Sequence, residues 1–244
     1  MINYLKSEHY RLIRQKATFL IPVLLLVFML TMLGLTFYSG LGDPDFPYNT
    51  TRFIYLTSRI SFVIPLLALP FLVNYLFGSE FENGTFKNSV SYGFKRYQLF
   101  WGKLIVAFSY SWILIVSVFV PYVFAVEHVM ENSGPAYLFE FLEFSAYMTL
   151  MLAGTLFLTL ALRFLLKSSS AYFGVFYLLV LGASHLVAAL RNQFPIFEVP
   201  LRLFPFYHVA AAEVVGWGYA IAIFLIYSTL SVLIGLRSFT RSDL

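Results

Sequence analysis

The sequence predicts an all-α membrane protein that crosses the bilayer six times. Three observations lead to this prediction: 60% of the 244 residues are hydrophobic, only 11% are charged, and long apolar runs recur along the chain. A soluble domain normally has about a quarter of its residues charged. The chain also contains no cysteine, which excludes a disulfide framework, a thiolate metal site and a cysteine nucleophile.

Six apolar runs are long enough to cross a bilayer as helices, because about 20 apolar residues span ~30 Å of hydrocarbon. Their interiors lack Asp, Glu, Lys and Arg, any of which would cost roughly 2.5 to 3.5 kcal/mol at mid-membrane. The first run is longer than the apolar region of a secretion signal, about 7 to 15 residues, so we interpret it as a permanent span. The predicted spans are 17–38, 60–77, 104–126, 144–162, 171–190 and 217–236.

The distribution of basic residues predicts that both termini are cytoplasmic. The termini and the connections after spans two and four together hold twelve Lys and Arg residues, whereas the opposite side holds four. Short cytoplasmic connections carry such an excess of Lys and Arg. The connection between Val126 and Glu143 carries four glutamates and no basic residue, which places it on the outer side.

Residues 1–16 have the pattern of an amphipathic helix that lies in the cytoplasmic interface. The alternative is a solvated basic flank of the first span, without a fixed orientation. The apolar residues near one helical face are Ile2, Leu5, Leu12 and Ile13, while Lys6, Arg14 and Lys16 point elsewhere.

The connection 78–103, between spans two and three, is rich in charge and glycine for so apolar a chain. Ser79 and Glu82 have the spacing of a capping box, which predicts a short helix beginning just after span two. Gly84 would end that helix or allow a sharp turn. Such a helix offers a contact to a soluble partner; the alternative is an ordinary loop that returns the chain to the membrane.

The stretch EFENGTFKN at 80–88, followed by Arg96 and by Gly102-Lys-Leu at the start of span three, resembles the signature region of small ABC-2-type permeases. These are the membrane subunits of ATP-binding-cassette exporters. The order of segments is similar along the whole chain. The resemblance implies that 1–16 is a connecting helix and that 79–91 is a coupling helix, which docks on a cytoplasmic ABC ATPase subunit. It also implies a pair of permeases, two copies or two related chains, in a bacterial cytoplasmic membrane.

The resemblance also indicates which residues meet the ATPase. Glu80 and Glu82 are expected to pair with basic residues of that subunit, although Glu82 alternatively serves only as a capping residue. Gly84 and Thr85 would set the turn. The basic residues expected at this interface, against acidic partner residues or membrane lipid phosphates, are Lys87, Lys95, Arg96, Lys6, Arg11 and Arg14.

The chain has no phosphate-binding loop of its own. The pattern G-x-x-x-x-G-K-[ST] does not occur, since Gly78 and Gly84 have the wrong spacing and Thr85 follows where Lys is needed. We therefore expect no cofactor in this chain, with ATP and Mg²⁺ bound by the partner subunit. We also expect no nucleic-acid partner.

The segment 191–215 is apolar, but three prolines exclude one long helix. The resemblance implies short helices that dip into the outer leaflet and form an external gate. The alternative is a loop that lies on the membrane without a gating role. The residues assigned to the gate are Pro195, Pro200, Phe204 and Pro205.

The histidines give no catalytic or metal motif. His9, His128, His185 and His208 are scattered, without an H-E-x-x-H pattern or an acidic partner at metal-binding spacing. We interpret His185 as a hydrogen-bonded interior residue of span five. The sequence therefore predicts that the chain is not an enzyme.

The spans contain essentially no ionisable residue, whereas ion-coupled transporters usually keep such groups there. An apolar or amphipathic cargo suits these walls better than a small hydrophilic ion. The resemblance adds that the chain would serve an ATP-driven exporter, and it implies a peptide of the antimicrobial or toxin kind as the amphipathic substrate, moved for export or for immunity. The alternative is a membrane protein independent of any ATPase: a secondary carrier, a scaffold or a sensor.

Overall fold

The computed structural model describes residues 2–42, 46–82, 91, 93–166 and 168–241. Within these ranges the chain is almost entirely helical and contains no strand. The helices are α1 (Ile2–Arg14), α2 (Lys16–Leu41), α3 (Thr51–Ile60), α4 (Val63–Glu82), α5 (Arg96–Val129), α6 (Pro135–Leu165), α7 (Ser169–Tyr177), α8 (Ala183–Gln193), α9 (Glu198–Leu201), α10 (Pro205–Ala211) and α11 (Trp217–Arg241); a π-helical turn, Leu178–Gly182, joins α7 to α8, and a 3-10 turn, Pro195–Phe197, precedes α9.

Five helical units of the described ranges are long and apolar enough to cross a membrane: α2, α5, α6, α11 and the continuous unit Ser169–Gln193. A sixth candidate is the pair α3 and α4, which bends by 44° between Ile60 and Val63. This confirms the predicted fold class of an all-α, multi-pass membrane protein. The helices extend beyond several of the predicted spans, above all at both ends of α5 and α6.

The connection between α5 and α6 is much shorter than the sequence indicates, because both helices continue through the acidic flanks. Glu127 still lies in α5, where its carboxylate accepts a hydrogen bond from the Tyr55 hydroxyl at 2.5 Å. Glu140 lies in α6 and pairs with Arg59 at 3.0 Å. These contacts to α3 explain why the helices persist into polar sequence.

Helix α6 lies at the centre of the bundle and packs along α11. The two backbones come close because the contact positions are small. A Cβ atom on Gly154 would lie 2.8 Å from the Phe224 Cα, and one on Gly235 would lie 3.1 Å from the Ala161 Cβ. Small residues at helix contacts are the usual means by which membrane helices approach closely.

We expect Gly154→Ala to destabilise the protein, because the added methyl group meets the backbone of α11. Overpacking of this kind costs about 1 to 3 kcal/mol and should lower the Tm of the purified protein. Gly174→Ala is the matched control, since a Cβ on that helical glycine meets nothing within 4 Å. Equal Tm values for the two variants would contradict the close α6–α11 packing.

Two local predictions are wrong. No new helix begins at Ser79, because α4 continues without a break to Glu82. His185 is exposed on α8, where its Nδ1 lies 2.8 Å from the Leu181 carbonyl oxygen of its own helix. The neighbouring Ser184 is the buried residue, and adjacent helical residues point about 100° apart.

Candidate functional site

Four charged side chains from three helices form a cluster that we call the charged junction: Glu8 and Arg11 of α1, Glu80 in the last turn of α4, and Lys103 in α5. The Lys103 Nζ lies 2.8 Å from a Glu8 oxygen and 2.7 Å from a Glu80 oxygen. Arg11 pairs with Glu80 at 2.6 Å and with Glu8 at 2.8 Å. Each acid therefore contacts both cations, and the cluster is neutral overall.

The packing of α1 against the bundle brings Glu8 and Arg11 into the junction. Tyr4, Glu8 and Leu12 are all buried, and their spacing of four residues places them on one side of the helix. Gly102 makes the close approach to α5 possible, because a Cβ there would lie 2.5 Å from the Tyr4 ring. Gly102 therefore leaves room for α1 to pack against α5, and the next residue, Lys103, supplies the cation that Glu8 contacts.

Lys103 is the centre of the junction. Its side chain is 1% exposed, and its Nζ lies 4.6 Å from the centre of the Phe77 ring. A buried charge is tolerated only when it is paired and hydrogen-bonded. The Glu8 and Glu80 carboxylates satisfy this requirement, so α1 and α4 are both held to α5 through one ammonium group.

The junction also changes the titration of its neighbours in α1. Burial raises the pKa of Tyr4, and the negative charges of Glu8 and Glu80 raise it further, so its hydroxyl stays neutral. Burial lowers the pKa of Arg11, but Glu8 and Glu80 together outweigh that effect and leave this pKa above its ordinary value. Arg11 therefore keeps its charge at any physiological pH.

The last turns of α4 are held from a second side by Arg163, which is 0% exposed near the end of α6. Its guanidinium donates to the carbonyl oxygens of Gly78 at 3.4 Å and Leu166 at 3.2 Å, and to the Ser169 hydroxyl at 3.3 Å. On the other side, Arg11 donates to the Leu76 carbonyl at 2.8 Å. Cations near a helix C-terminus oppose the negative end of its dipole, so the end of α4 is fixed in place.

The structure places the residues expected at an ATPase interface in three groups. Glu80 and Arg11 belong to the charged junction. Lys6, Arg14 and Lys95 are exposed, and Arg96 is partly buried at the start of α5. Glu82 is the last residue of α4, and its side chain lies outside the described part of the structure, as do the whole residues Gly84, Thr85 and Lys87.

Sequence reasoning missed three members of this region: Glu8, Lys103 and Arg163. Both Lys103 and Arg163 were counted as basic residues that flank spans on the cytoplasmic side, and Lys103 was also part of the family resemblance, yet both are buried. A signal for Glu8 was present, since an acidic residue midway between Tyr4 and Leu12 falls on the helical face that is otherwise apolar. Nothing in the sequence indicates that Arg163 would reach the end of α4.

The segment 191–215 contains the 3-10 turn, α9 and α10, joined by short turns. Pro195 begins the 3-10 turn and Pro205 begins α10, as expected of a residue that fits the first turn of a helix. Pro195 and Pro200 are exposed, Phe204 is half-buried and Pro205 is buried. Short helices therefore occupy this segment, whereas its gating role stays a prediction.

His208 of α10 joins the segment 191–215 to α6. It is 0% exposed, with its Nε2 2.8 Å from the Arg202 carbonyl oxygen and its Nδ1 2.8 Å from the Tyr147 hydroxyl. Because a carbonyl only accepts, Nε2 carries the proton and Nδ1 accepts from Tyr147 in the neutral ring. Burial is the main cause that holds the pKa of His208 below its ordinary value.

We expect the stability of the protein to fall as the pH drops through about 6.5, the ordinary pKa of histidine. The unfolded chain takes up a proton there, whereas the buried His208 resists it, so acid favours unfolding. The Tm measured against pH should show this loss, and His208→Gln should flatten the curve between pH values just above and below that point. His185→Gln is the control, and an unchanged slope in His208→Gln would contradict the assignment.

Within the described ranges, no group of three or more His, Asp or Glu side chains is arranged to hold a metal ion. The functional features are instead the long apolar helices and the buried charged junction at one end of them. Together these features define a multi-pass protein of the cell membrane.

A family model described as ABC-2 family transporter protein matches residues 4–183, which is well over half of the chain. The chain therefore belongs to the ABC-2 transporter family. The matched range includes all four residues of the charged junction. Members of this family are membrane permease components of ABC transporters and are not themselves catalysts; typically they work with an ATPase partner and dimerise. A search of curated proteins finds no match to the chain.

Proposed function

We propose that the chain is the transmembrane subunit of an ATP-driven exporter, and that a separate cytoplasmic ATPase acts on it through residues 79–91. Both termini are then cytoplasmic, as the distribution of basic residues predicts. The observation that supports this proposal is the charged junction. It binds the last turn of α4, which is the first part of residues 79–91, to α1 and α5 through Lys103.

The junction gives a physical route for the coupling. A push on residues 79–91 acts first on the last turn of α4, where Glu80 contacts both Arg11 and Lys103. Those two cations belong to α1 and α5, so the three helices move together instead of sliding past one another. The bend between α3 and α4 offers a point at which this movement changes the outer half of the bundle.

The proposal divides the predicted interface residues by their surroundings. Glu80 and Arg11 act inside the chain as positioning residues, because their charged groups are bound to each other and to other members of the junction. Glu82, Gly84, Thr85, Lys87, Lys95 and Arg96 remain the proposed contacts with the ATPase. Lys6 and Arg14 lie on the opposite, exposed face of α1, for which membrane lipid is the better partner.

The cargo we propose is an amphipathic or hydrophobic molecule, and an antimicrobial or toxin peptide is the preferred case. The described spans keep apolar side chains on their outer surfaces, and their buried cations Lys103 and Arg163 lie near helix ends. A hydrophobic cargo can therefore enter laterally from the lipid bilayer without meeting a charged side chain near the middle of the membrane. Release would require the outer segment to open at Pro195, Pro200, Phe204 and Pro205, with His208 and Tyr147 holding it shut. Two such permeases would form the complete pathway.

The test is transport into vesicles that contain the chain with its ATPase, compared with vesicles that contain the chain alone. A fluorescent amphipathic peptide should accumulate only when ATP and the ATPase are both present. ATP without the ATPase, and the ATPase with a non-hydrolysable analogue, are the controls. Accumulation by the chain alone, driven by an ion gradient, would reject the proposal in favour of a secondary carrier.

A further inference from the structure

Arg59 lies in the last turn of α3, directly before the 44° bend between α3 and α4. Its side chain is only 11% exposed, whereas Arg52, at the other end of the same helix, is exposed. The Arg59 guanidinium lies 5.7 Å from the centre of the Phe144 ring of α6, and Phe144 is fully buried. Arg59 therefore points into the bundle, where it contacts other helices.

The Arg59 guanidinium donates hydrogen bonds in two directions. One amino group pairs with the Glu140 carboxylate of α6 at 3.0 Å. The other donates to the carbonyl oxygen of Ala212 at 3.4 Å, and Ala212 is the residue that ends α10. Because a guanidinium presents its donors in a rigid planar fork, one side chain holds α3, α6 and the end of α10 together.

The backbone of Ala212 has an unusual conformation. Its φ is 54° and its ψ is 28°, and among the described residues it is the only one besides glycine with a positive φ. Helices commonly end in this left-handed conformation, but usually with glycine, because a Cβ atom makes it unfavourable. Such a backbone persists where surrounding contacts fix it. Here the Ala212 N–H donates to the His208 carbonyl at 3.1 Å, and the Ala212 carbonyl accepts from Arg59.

The remaining contacts of α3 bind it to α5 and not to α10. The Tyr55 hydroxyl donates to Glu127 at 2.5 Å, and the Ser58 and Tyr122 hydroxyls lie 2.7 Å apart. The Glu140 carboxylate is 56% exposed, and exposed ion pairs contribute little to stability. A small movement of α3 can therefore break the bond to Ala212 while α3 stays packed on α5.

We propose that Arg59 is a positioning residue that keeps α10 packed on the bundle by fixing the left-handed turn at Ala212. A change in the bend between α3 and α4 withdraws Arg59 from that turn and releases α10. This inference depends on the proposed function only for its purpose, which is the opening of segment 191–215 during transport. The restraint on α10 follows from the contacts of Arg59 and does not depend on the identity of the cargo.

The test measures how fast a buried cysteine on α10 reacts with a membrane-permeant maleimide. The chain has no cysteine of its own, and Val209 is 1% exposed, so Val209→Cys should react slowly when the purified chain is held in nanodiscs. Adding Arg59→Gln should raise the rate about fivefold, the change expected when one hydrogen bond no longer opposes local opening. Arg52→Gln is the matched control and should leave the rate unchanged. Glu140→Gln should raise it less than Arg59→Gln does.

A further substitution separates the turn from general packing. Glycine adopts the left-handed conformation freely, so adding Ala212→Gly to the Arg59→Gln variant should return the rate toward its original value. A loss of packing elsewhere would not be repaired in this way. A rate that stays high in the Ala212→Gly combination, or an effect of Glu140→Gln as large as that of Arg59→Gln, would overturn the proposal.

Val126→Cys reports whether the whole bundle loosens. Val126 of α5 is fully buried beside α3, and its reaction rate should be the same with and without Arg59→Gln. Equal acceleration at Val126→Cys and Val209→Cys would contradict a local role for Arg59. The labelling needs neither ATP nor the ATPase, so a failure of transport into vesicles would count against the proposed function and would leave this result standing.

Discussion

Replacing Lys103 by methionine should lower the free energy of unfolding by roughly 3 to 5 kcal/mol, the range found when one partner of a buried ion pair is removed. The ammonium group lies within 2.8 Å of Glu8 and 2.7 Å of Glu80, and without it both carboxylates stay in a poorly hydrated site. Arg11 alone is left to compensate them. Denaturant titration of the purified protein in lipid measures the loss directly.

Two further variants separate this effect from a general cost of mutation. Lys95→Met removes an exposed cation near the start of the same helix and should change the stability by less than about 1 kcal/mol. Combining Lys103→Met with Glu8→Gln and Glu80→Gln removes the stranded charges, so part of the lost stability should return. A loss in Lys95→Met as large as that in Lys103→Met would contradict the buried junction.

Gly102→Val should detach α1 from the bundle, because the new side chain would overlap the Tyr4 ring at a Cβ distance of 2.5 Å. The chain has no cysteine, so an introduced pair gives a clean readout. His9 and Ser109 join α1 to α5 through a contact of 2.9 Å between their side chains. With both changed to cysteine, a short bifunctional thiol reagent should link them efficiently, and adding Gly102→Val should reduce that linking several-fold.

Gly34→Val is the matched control for this experiment. Gly34 also lies inside a long helix, and a Cβ there meets nothing within 4 Å. It should therefore leave the link between the introduced cysteines unchanged. If the two introduced cysteines were linked as efficiently in the Gly102→Val variant as in the control, the packing of α1 on α5 would not depend on the space that this glycine provides.

The helices and spans were predictable because they follow from local sequence. A run of some twenty apolar residues without charge has few alternatives to a membrane helix, and prolines in 191–215 exclude a long helix there. Boundaries were less accurate where tertiary contacts prolong a helix. The extensions of α5 and α6 depend on Tyr55 and Arg59 of α3, and no local pattern shows that α3 lies beside them.

The charged junction was only half predictable. Glu80 and Arg11 were singled out, but as contacts with another protein, and Lys103 was noted as a basic flank and as part of the family resemblance, without a partner inside the chain. The junction joins Glu8 to Lys103 across 95 positions of sequence, a pairing that depends on how α1 folds back on α5. Likewise His208, and not His185, is the buried histidine, since its surroundings come from Tyr147 and Arg202 at distant positions.

The most direct test of the proposed coupling is to recover the tagged chain from its native membrane and to assay the material for a bound ATPase. The coupling proposal predicts that an ATP-binding-cassette subunit is recovered with the wild-type chain. It also predicts that Glu82→Ala loses this subunit or uncouples its ATPase activity from transport, while Glu131→Ala, a control in the connection between α5 and α6, keeps both. A folded wild-type chain that recovers no ATPase would contradict the central claim, and the carrier or scaffold alternative would replace it.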